Sequence, residues 1–553
     1  MQLELLSFIC LFLLSSVSAI PRLTHPKRTE NGIHFPIQMN ARRSSELPRR
    51  AGLTGMVGLG DFYDVTYSFL VNVGGVETPL VIDTGSSDLW ILSDACTTCE
   101  TELELFPQTT LAESGLDVEL LYGDSRTGTR AAGIIGSDTL IFAGISIPNQ
   151  LFGAINDTTT RVLETNCTGI FGLGFALNSV IWNKVLAAKF AASPSRRRDT
   201  FPRRISSPNY GTRFFPDLTH LVSTSSRKRL APEDLTAAIF ASYSGQGPAL
   251  TRMVSTLKTP MFSVALQRDV LDIGSGNAGI LSMGELPAGI DPESLTWVPI
   301  RMYPDALTPP ADSPNEKYPI AWELFIDDVF FDGVVLPRSN LSSPNIKLSA
   351  LVDTGNSLIR GPADVLNAIY QRLGGRTFAC STPHTLSFQI GGKIFPVDAR
   401  DFATQAFSNQ LRDCAANLFE TDPPELDKGY QYSWSLGQPF LKGVLSSFFF
   451  GNLTHPSVLP PRIGLLSTVP ADDGPLLKTA IASGIAANSG NQFSTFDPAP
   501  TGVPAFSGTG IPTADGVVGK LEGNAKATGG AESLRDSFAL SMFAAALLFC
   551  IAV

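Results

Sequence analysis

Apolar residues along this chain fall in short runs repeatedly interrupted by turn formers, a pattern that predicts many short strands rather than a helical bundle. Within that pattern one stretch occurs twice. Val81-Ile82-Asp83-Thr84-Gly85-Ser86-Ser87 returns as Leu351-Val352-Asp353-Thr354-Gly355-Asn356-Ser357. An apolar-glycine element follows each copy, Phe171-Gly172-Leu173-Gly174 after the first and Ser435-Leu436-Gly437-Gln438-Pro439-Phe440 after the second. Gly172 lies 89 residues beyond Asp83, and Gly437 lies 84 beyond Asp353. A signature repeated at matched spacing implies two homologous lobes, each contributing one Asp. The expected fold class is all-β and bilobal, with a first lobe over 51–255, a second over 256–468 and a cleft between them.

Composition narrows this further. At 553 residues the chain exceeds one ordinary core, and 43% apolar content excludes wholesale disorder. The 49 Gly, 39 Pro and 35 Phe favour strands and turns. A net charge of −10 with 17% charged residues leaves no basic face suited to a phosphate backbone, which argues against nucleic acid as a partner.

Both ends read as addresses. Leu5 to Val17 is apolar and leads into Val17-Ser18-Ala19, so 1–19 reads as a signal peptide. Residues 20–50 are polar and basic, with Arg42-Arg43 and Arg49-Arg50, and read as an exposed propeptide whose cations could mask two acidic side chains until cleavage. Ser193 to Leu230 carries nine Lys/Arg against two Asp/Glu without steady periodicity, and reads as an exposed insertion in the first lobe or a retained intron. From 469 to 530 the chain turns to Ala, Ser, Gly, Thr and Pro, a stalk rather than a domain. Over 531–553 a polar spacer leads into the apolar tail Phe538 to Val553, which carries no charge. This matches a GPI-attachment signal, an intact membrane helix being the alternative.

With Cys10 in the signal and Cys550 in the tail, five cysteines remain. Cys380 with Cys414 and Cys96 with Cys99 are the expected bridges, leaving Cys167 over. A redox or zinc half-site at Cys96-Thr97-Thr98-Cys99 lacks a second pair. Sequons at Asn156, Asn166, Asn340 and Asn452 suit a glycosylated, exported protein.

The chemistry lies in the repeat. Aliphatics running into Asp-Thr-Gly describe a buried strand entering a tight loop, with Gly85 and Gly355 allowing the turn beside each carboxylate. The Thr84 and Thr354 hydroxyls can bond the opposite lobe. Two carboxylates brought together cannot both ionise comfortably, so they share a proton; one acts as base on a water and the other as acid on a carbonyl.

These residues resemble the pepsin family of aspartic proteases from about Tyr63 to Leu466, and the anchored ending resembles its yapsin branch. Asp83 to Trp90 and Asp353 to Ile359 match the two active-site motifs. The resemblance implies a pepsin-like double β-barrel, protein or peptide substrates cut at acidic pH, no cofactor or metal, and a monomer at the cell surface. It also implies that Ser86 bonds Asp83, that Trp90 buttresses Tyr122, and that Tyr122, Gly123 and Asp124 form a flap gripping an extended peptide. Position 356 is Asn where the family carries Thr or Ser, and its amide is expected to bond Asp353 instead. Two other readings compete: an inactive peptide-binding member of the fold, and a wall or adhesion protein, which leaves the repeat unexplained. Gly274-Ser275-Gly276-Asn277-Ala278-Gly279 fits a dinucleotide loop by spacing, but a hairpin explains it better.

Overall fold

The computed structural model describes residues 27–41, 65–123, 128–192, 232–266 and 279–487, apart from positions 143, 305, 407–410 and 427–429. The signal peptide, the arginine pairs at 42–43 and 49–50, Asp124, the basic insertion, Gly274 to Ala278, the residues after 487 and the anchor signal lie outside them.

The first half opens with β1 (Lys27–Arg28) and β2 (Ile33–Ala41). It continues through β3 (Val65–Val73), β4 (Val76–Asp83), β5 (Leu89–Leu92), β6 (Ala112–Tyr122), β7 (Thr129–Phe142), β8 (Ile145–Thr158) and β9 (Gly169–Gly172). Strands β3-β4-β9-β5-β8-β7-β6 run in that order across one sheet, which curls until β3 also pairs with β7. From β3 the same sheet passes through β2 to β11 (Gly279–Met283) and β10 (Met261–Leu266), then to the second-lobe strands Val444–Phe449, Arg462–Ser467 and Thr296–Pro299. Sheets of five, four and three strands make up the rest of the second lobe among the described residues.

The sequence repeat is a repeat of strand order. β4 pairs in parallel with β9, and β5, the strand after Asp83, pairs antiparallel with that same β9. Ser349–Val352 pairs in parallel with Trp434–Leu436, and Ile359–Gly361 pairs antiparallel with it. The apolar-glycine element is therefore the strand threaded between the two sides of each Asp loop. Its glycine is obligatory: a Cβ on Gly172 would sit 2.5 Å from the Ser87 backbone, and one on Gly437 would overlap the Leu358 carbonyl. Beneath the loops an aromatic floor joins the lobes. The Trp322 indole donates to the Leu173 carbonyl (2.9 Å) and packs on Phe175 and Phe450 at 4.3 and 4.8 Å.

Two boundaries differ from expectation. Within 20–50, read as exposed, β2 is buried: Ile33, Phe35 and Ile37 alternate into the core, and Phe35 stacks on Phe142 at 4.5 Å. Its first half pairs with β11 and its second half with β3. Burying three such side chains contributes about 5–9 kcal/mol, comparable to the net stability of a whole domain. The stalk expected from 469 also begins later, because Asp473–Ala487 is a helix. Leu477 and Ile481 on it reach the core, and its Asp473 carboxylate accepts from the Ala399 amide (3.1 Å).

Cys96–Cys99 and Cys380–Cys414 are bridged as expected, and Cys167 is buried with its thiol directed at the Thr165 carbonyl. Of the sequons Asn340 is exposed, while Asn156, Asn166 and Asn452 are partly buried. Gly279 opens strand β11, not the helix that a phosphate-binding loop requires.

Candidate active site

Strand β4 alternates buried and exposed residues at its start and is buried throughout from Leu80 to Asp83, where it enters the centre of the molecule. Asp83 and Asp353, the two ends of the repeat, arrive there from opposite lobes and are both buried. Four hydrogen bonds clamp the loops together. The Thr84 hydroxyl donates to the Val352 carbonyl (2.8 Å) and accepts from the Thr354 amide (3.0 Å). In return the Thr354 hydroxyl donates to the Ile82 carbonyl (2.7 Å) and accepts from the Thr84 amide (3.0 Å). Each hydroxyl thus satisfies one buried donor and one buried acceptor of the other lobe.

Gly85 and Gly355 face the opposite carboxylates. A Cβ on either would stand 2.6 Å from a carboxylate oxygen of Asp353 or Asp83 respectively, so each glycine leaves room for the other lobe's acid. The Gly85 amide donates to Asp83 Oδ1 (2.8 Å) and the Gly355 amide to Asp353 Oδ1 (2.9 Å). The two carboxyls face each other across the interface, close enough for each to change the other's proton affinity.

Beyond this symmetry the sides differ. The Ser86 hydroxyl donates to Asp83 Oδ2, as expected. Asn356, in the matching position, does not bond the Asp353 carboxylate as expected. Its amide donates to the Ser435 hydroxyl (2.9 Å), and its Oδ1 accepts from the Leu358 amide (3.1 Å). The longer Asn side chain closes a local turn over the loop and points its donor away from the acid. Burial raises both acids. For Asp83 the Ser86 hydroxyl, two loop amides and Asp353 oppose that rise. Asp353 goes well above the usual carboxylate range, because the Asp83 charge and the proximity of its carboxyl add to burial, and only the Gly355 amide and the Arg360 charge oppose them. The pair thus shares one proton, and the hydrogen bonds from Ser86 and the loop amides favour the charge on Asp83.

Tyr122 ends β6 above this pair. The Trp90 indole donates to its hydroxyl (2.7 Å), which lies beside the Ser86 hydroxyl that bonds Asp83. Burial and the nearby Asp83 and Asp88 charges keep the Tyr122 hydroxyl protonated. Gly123 follows with φ of 90°, a left-handed turn that suits glycine.

One functional neighbour escaped the sequence reading. Buried Asp88 accepts from the Ser179 hydroxyl and from the Val180 and Ile181 amides (2.8 and 3.1 Å), so it anchors the first turn of the helix Val180–Ala192. Burial pushes its carboxyl up to about 6. Its signal was a carboxylate inside an otherwise apolar motif, but the helix it caps starts 92 residues later.

A buried acid pair clamped between two homologous lobes and holding a single proton can deliver base and acid to the two sides of one reacting group. Comparison with known proteins agrees. The chain matches the eukaryotic aspartyl protease family over residues 66–191 and 240–455, more than half its length. It is 22% identical over 449 residues to an aspartic protease of Phaffia rhodozyma, spanning 78% of this chain and 82% of that one. Mouse gastricsin is 24% identical over 426 residues, 74% of this chain and 82% of its own. Rhizopuspepsin-2 of Rhizopus niveus reaches 38% identity over 128 residues, covering 22% of this chain and 32% of that one. The chain belongs to the pepsin-like eukaryotic aspartyl proteases and is a hydrolase acting on peptide bonds.

Proposed function

We propose that this protein is an endopeptidase working at acidic pH, with Asp83 as general base and Asp353 as general acid. Asp83, ionised, takes a proton from a water as its oxygen attacks the scissile carbonyl carbon. Asp353 gives its proton to the carbonyl oxygen, so the intermediate is a neutral gem-diol. Collapse reverses the transfers: a hydroxyl proton returns to one carboxylate, the other acid protonates the departing amine, and the C–N bond breaks. The observation that carries this reading is the reciprocal Thr84–Thr354 clamp, which holds the two acids in one frame.

Tyr122, Gly123 and Asp124 cover an extended peptide laid across the cleft as an added strand. The protein is exported as a glycoprotein, acts as a monomer, and is held at the plasma membrane or cell wall by a GPI anchor attached near 531, as in the yapsin branch. The leader and tail patterns support this. Release from cells by a phosphatidylinositol-specific phospholipase tests the anchor; retention after treatment refutes it.

The decisive experiment is cleavage of an acid-denatured protein by the full chain between pH 3 and 7. Asp83→Asn lowers kcat at least about 1,000-fold with KM and melting temperature little changed. Activity surviving in that variant would refute the assignment, and a wild-type chain that binds peptide without cutting would point to the inactive member of the fold.

A further inference from the structure

The threonine clamp joins the lobes at the tips of the Asp loops, and a second tie joins them away from the tips. It starts from Asp88 in the first loop, which accepts from the Ser179 hydroxyl. The neighbouring Asn178 is buried, and its Oδ1 accepts a hydrogen bond from the Tyr430 hydroxyl of the second lobe, 252 residues on. From Tyr430 the path enters a polar network. The Gln431 amide donates to the Tyr303 hydroxyl (3.1 Å), which itself donates to Glu323 Oε2. Glu323 is fully buried, and its other oxygen accepts from Arg301 Nε (2.6 Å) and from the Ser349 hydroxyl. Ser349 opens the strand Ser349–Val352, which delivers Asp353.

The surroundings of this path are apolar. Leu177, Trp182 and Leu186 of the first lobe share one buried cluster with Tyr318, Leu351 and Tyr432 of the second. Such contacts are non-directional and let two surfaces slide, whereas a hydrogen bond between buried groups fixes their register. Leu351 stands two residues before Asp353, so a slide within this cluster moves the second acid. Ala350 and Val352 face the other core, which holds Trp322. The aromatic floor and the Asn178–Tyr430 tie therefore hold the Asp353 strand from its two faces, where the clamp alone would leave the lobes free to rock about the loop tips. We infer that Asn178 and Tyr430 are positioning residues for the acid pair, their hydrogen bond, continued through Tyr303 and Glu323, setting where the Asp353 strand stands relative to Asp83. The inference rests on the acid-pair reading of the site.

Tyr430→Phe in the full chain removes one hydroxyl and keeps the ring against Tyr432. Its kcat falls about tenfold, as acids displaced by a fraction of an ångström require, while KM changes by less than about twofold. The pH profile of kcat/KM narrows, because acids standing further apart influence each other less. The Asp83 charge then raises Asp353 less, Arg360 still opposes it, and the alkaline limb moves to lower pH. Hydrogen exchange, read by mass spectrometry, rises over 350–356. Asn178→Ala behaves alike, and the double variant loses no more than either single one, since both changes remove the same bond. Three results overturn the assignment: kcat and pH profile unchanged in both variants, single losses that multiply in the double variant, or exchange that rises at 176–183 and 430–432 but not at 350–356. A wild-type chain that cuts nothing refutes the acid-pair reading instead, and the exchange measurement then decides the tie by itself.

Discussion

The two Asp loops share one backbone and differ in side-chain company. In the first, Ser86 donates to Asp83 and Asp88 reaches back to anchor a helix. In the second, the matching positions hold Asn356, turned towards Ser435, and the buried Leu358. A duplicated frame thus gives both acids the same position while giving them different affinities for a proton. Position is set by the threonine clamp and the glycines, which are identical in both copies. Burial raises both proton affinities, and the third residue after each Asp adds a difference: Ser86 bonds Asp83, whereas Asn356 turns away from Asp353.

The largest expected effect falls on what the loops share. Thr84→Val and Thr354→Val each leave a buried amide and a buried carbonyl of the opposite lobe unpaired, costing about 2–6 kcal/mol. Displacement of the acids should lower kcat on the order of 100-fold. Urea unfolding and steady-state kinetics should find the two variants alike; a large difference would break the symmetry. Next comes Asp88, present in one lobe only. Folding raises its pKa to about 6, so the protonated form is favoured by the fold: its benefit is full below the unfolded value near 4 and is lost as pH rises through 6. The wild type should lose about 3 kcal/mol from this group between pH 4 and 7, and Asp88→Asn should flatten that part of the stability curve. The smallest effects concern the proton itself. Ser86→Ala removes a donor from ionised Asp83, raises its pKa and moves the acid limb of kcat/KM to higher pH. Asn356→Ser supplies a donor to Asp353, lowers its pKa and moves the alkaline limb to lower pH, with kcat/KM beyond that limb falling on the order of tenfold. Failure of Asn356→Ser to move that limb would show that the contrast between the loops does not govern protonation.

Much of this was legible in the sequence, because it depended on short-range patterns stated twice. The paired Asp-Thr-Gly and the matched glycine elements announced the duplicated strand order, and Trp90 and Tyr122 met as their motifs implied. What escaped depended on distant partners. Asn356 offered a donor of the right kind, but Ser435 competes for it from 79 positions away. Strand β2 carried the alternation Ile33, Phe35, Ile37, yet the polar, basic segment around it, with its arginine pairs, read as exposed; the pairing of these residues with β11, about 240 residues on, buries them. The helix Asp473–Ala487 was lost among small residues because only Leu477 and Ile481 on it reach deep into the core.

Strand β2 also sets an order of events during synthesis. It leaves the ribosome about 240 residues before Gly279–Met283, the strand that pairs with its first half. A pairing of such sequence separation forms late and slowly. Until then β2 waits with an unpaired edge and the apolar Ile33, Phe35 and Ile37 uncovered, so the nascent chain needs protection from this strand.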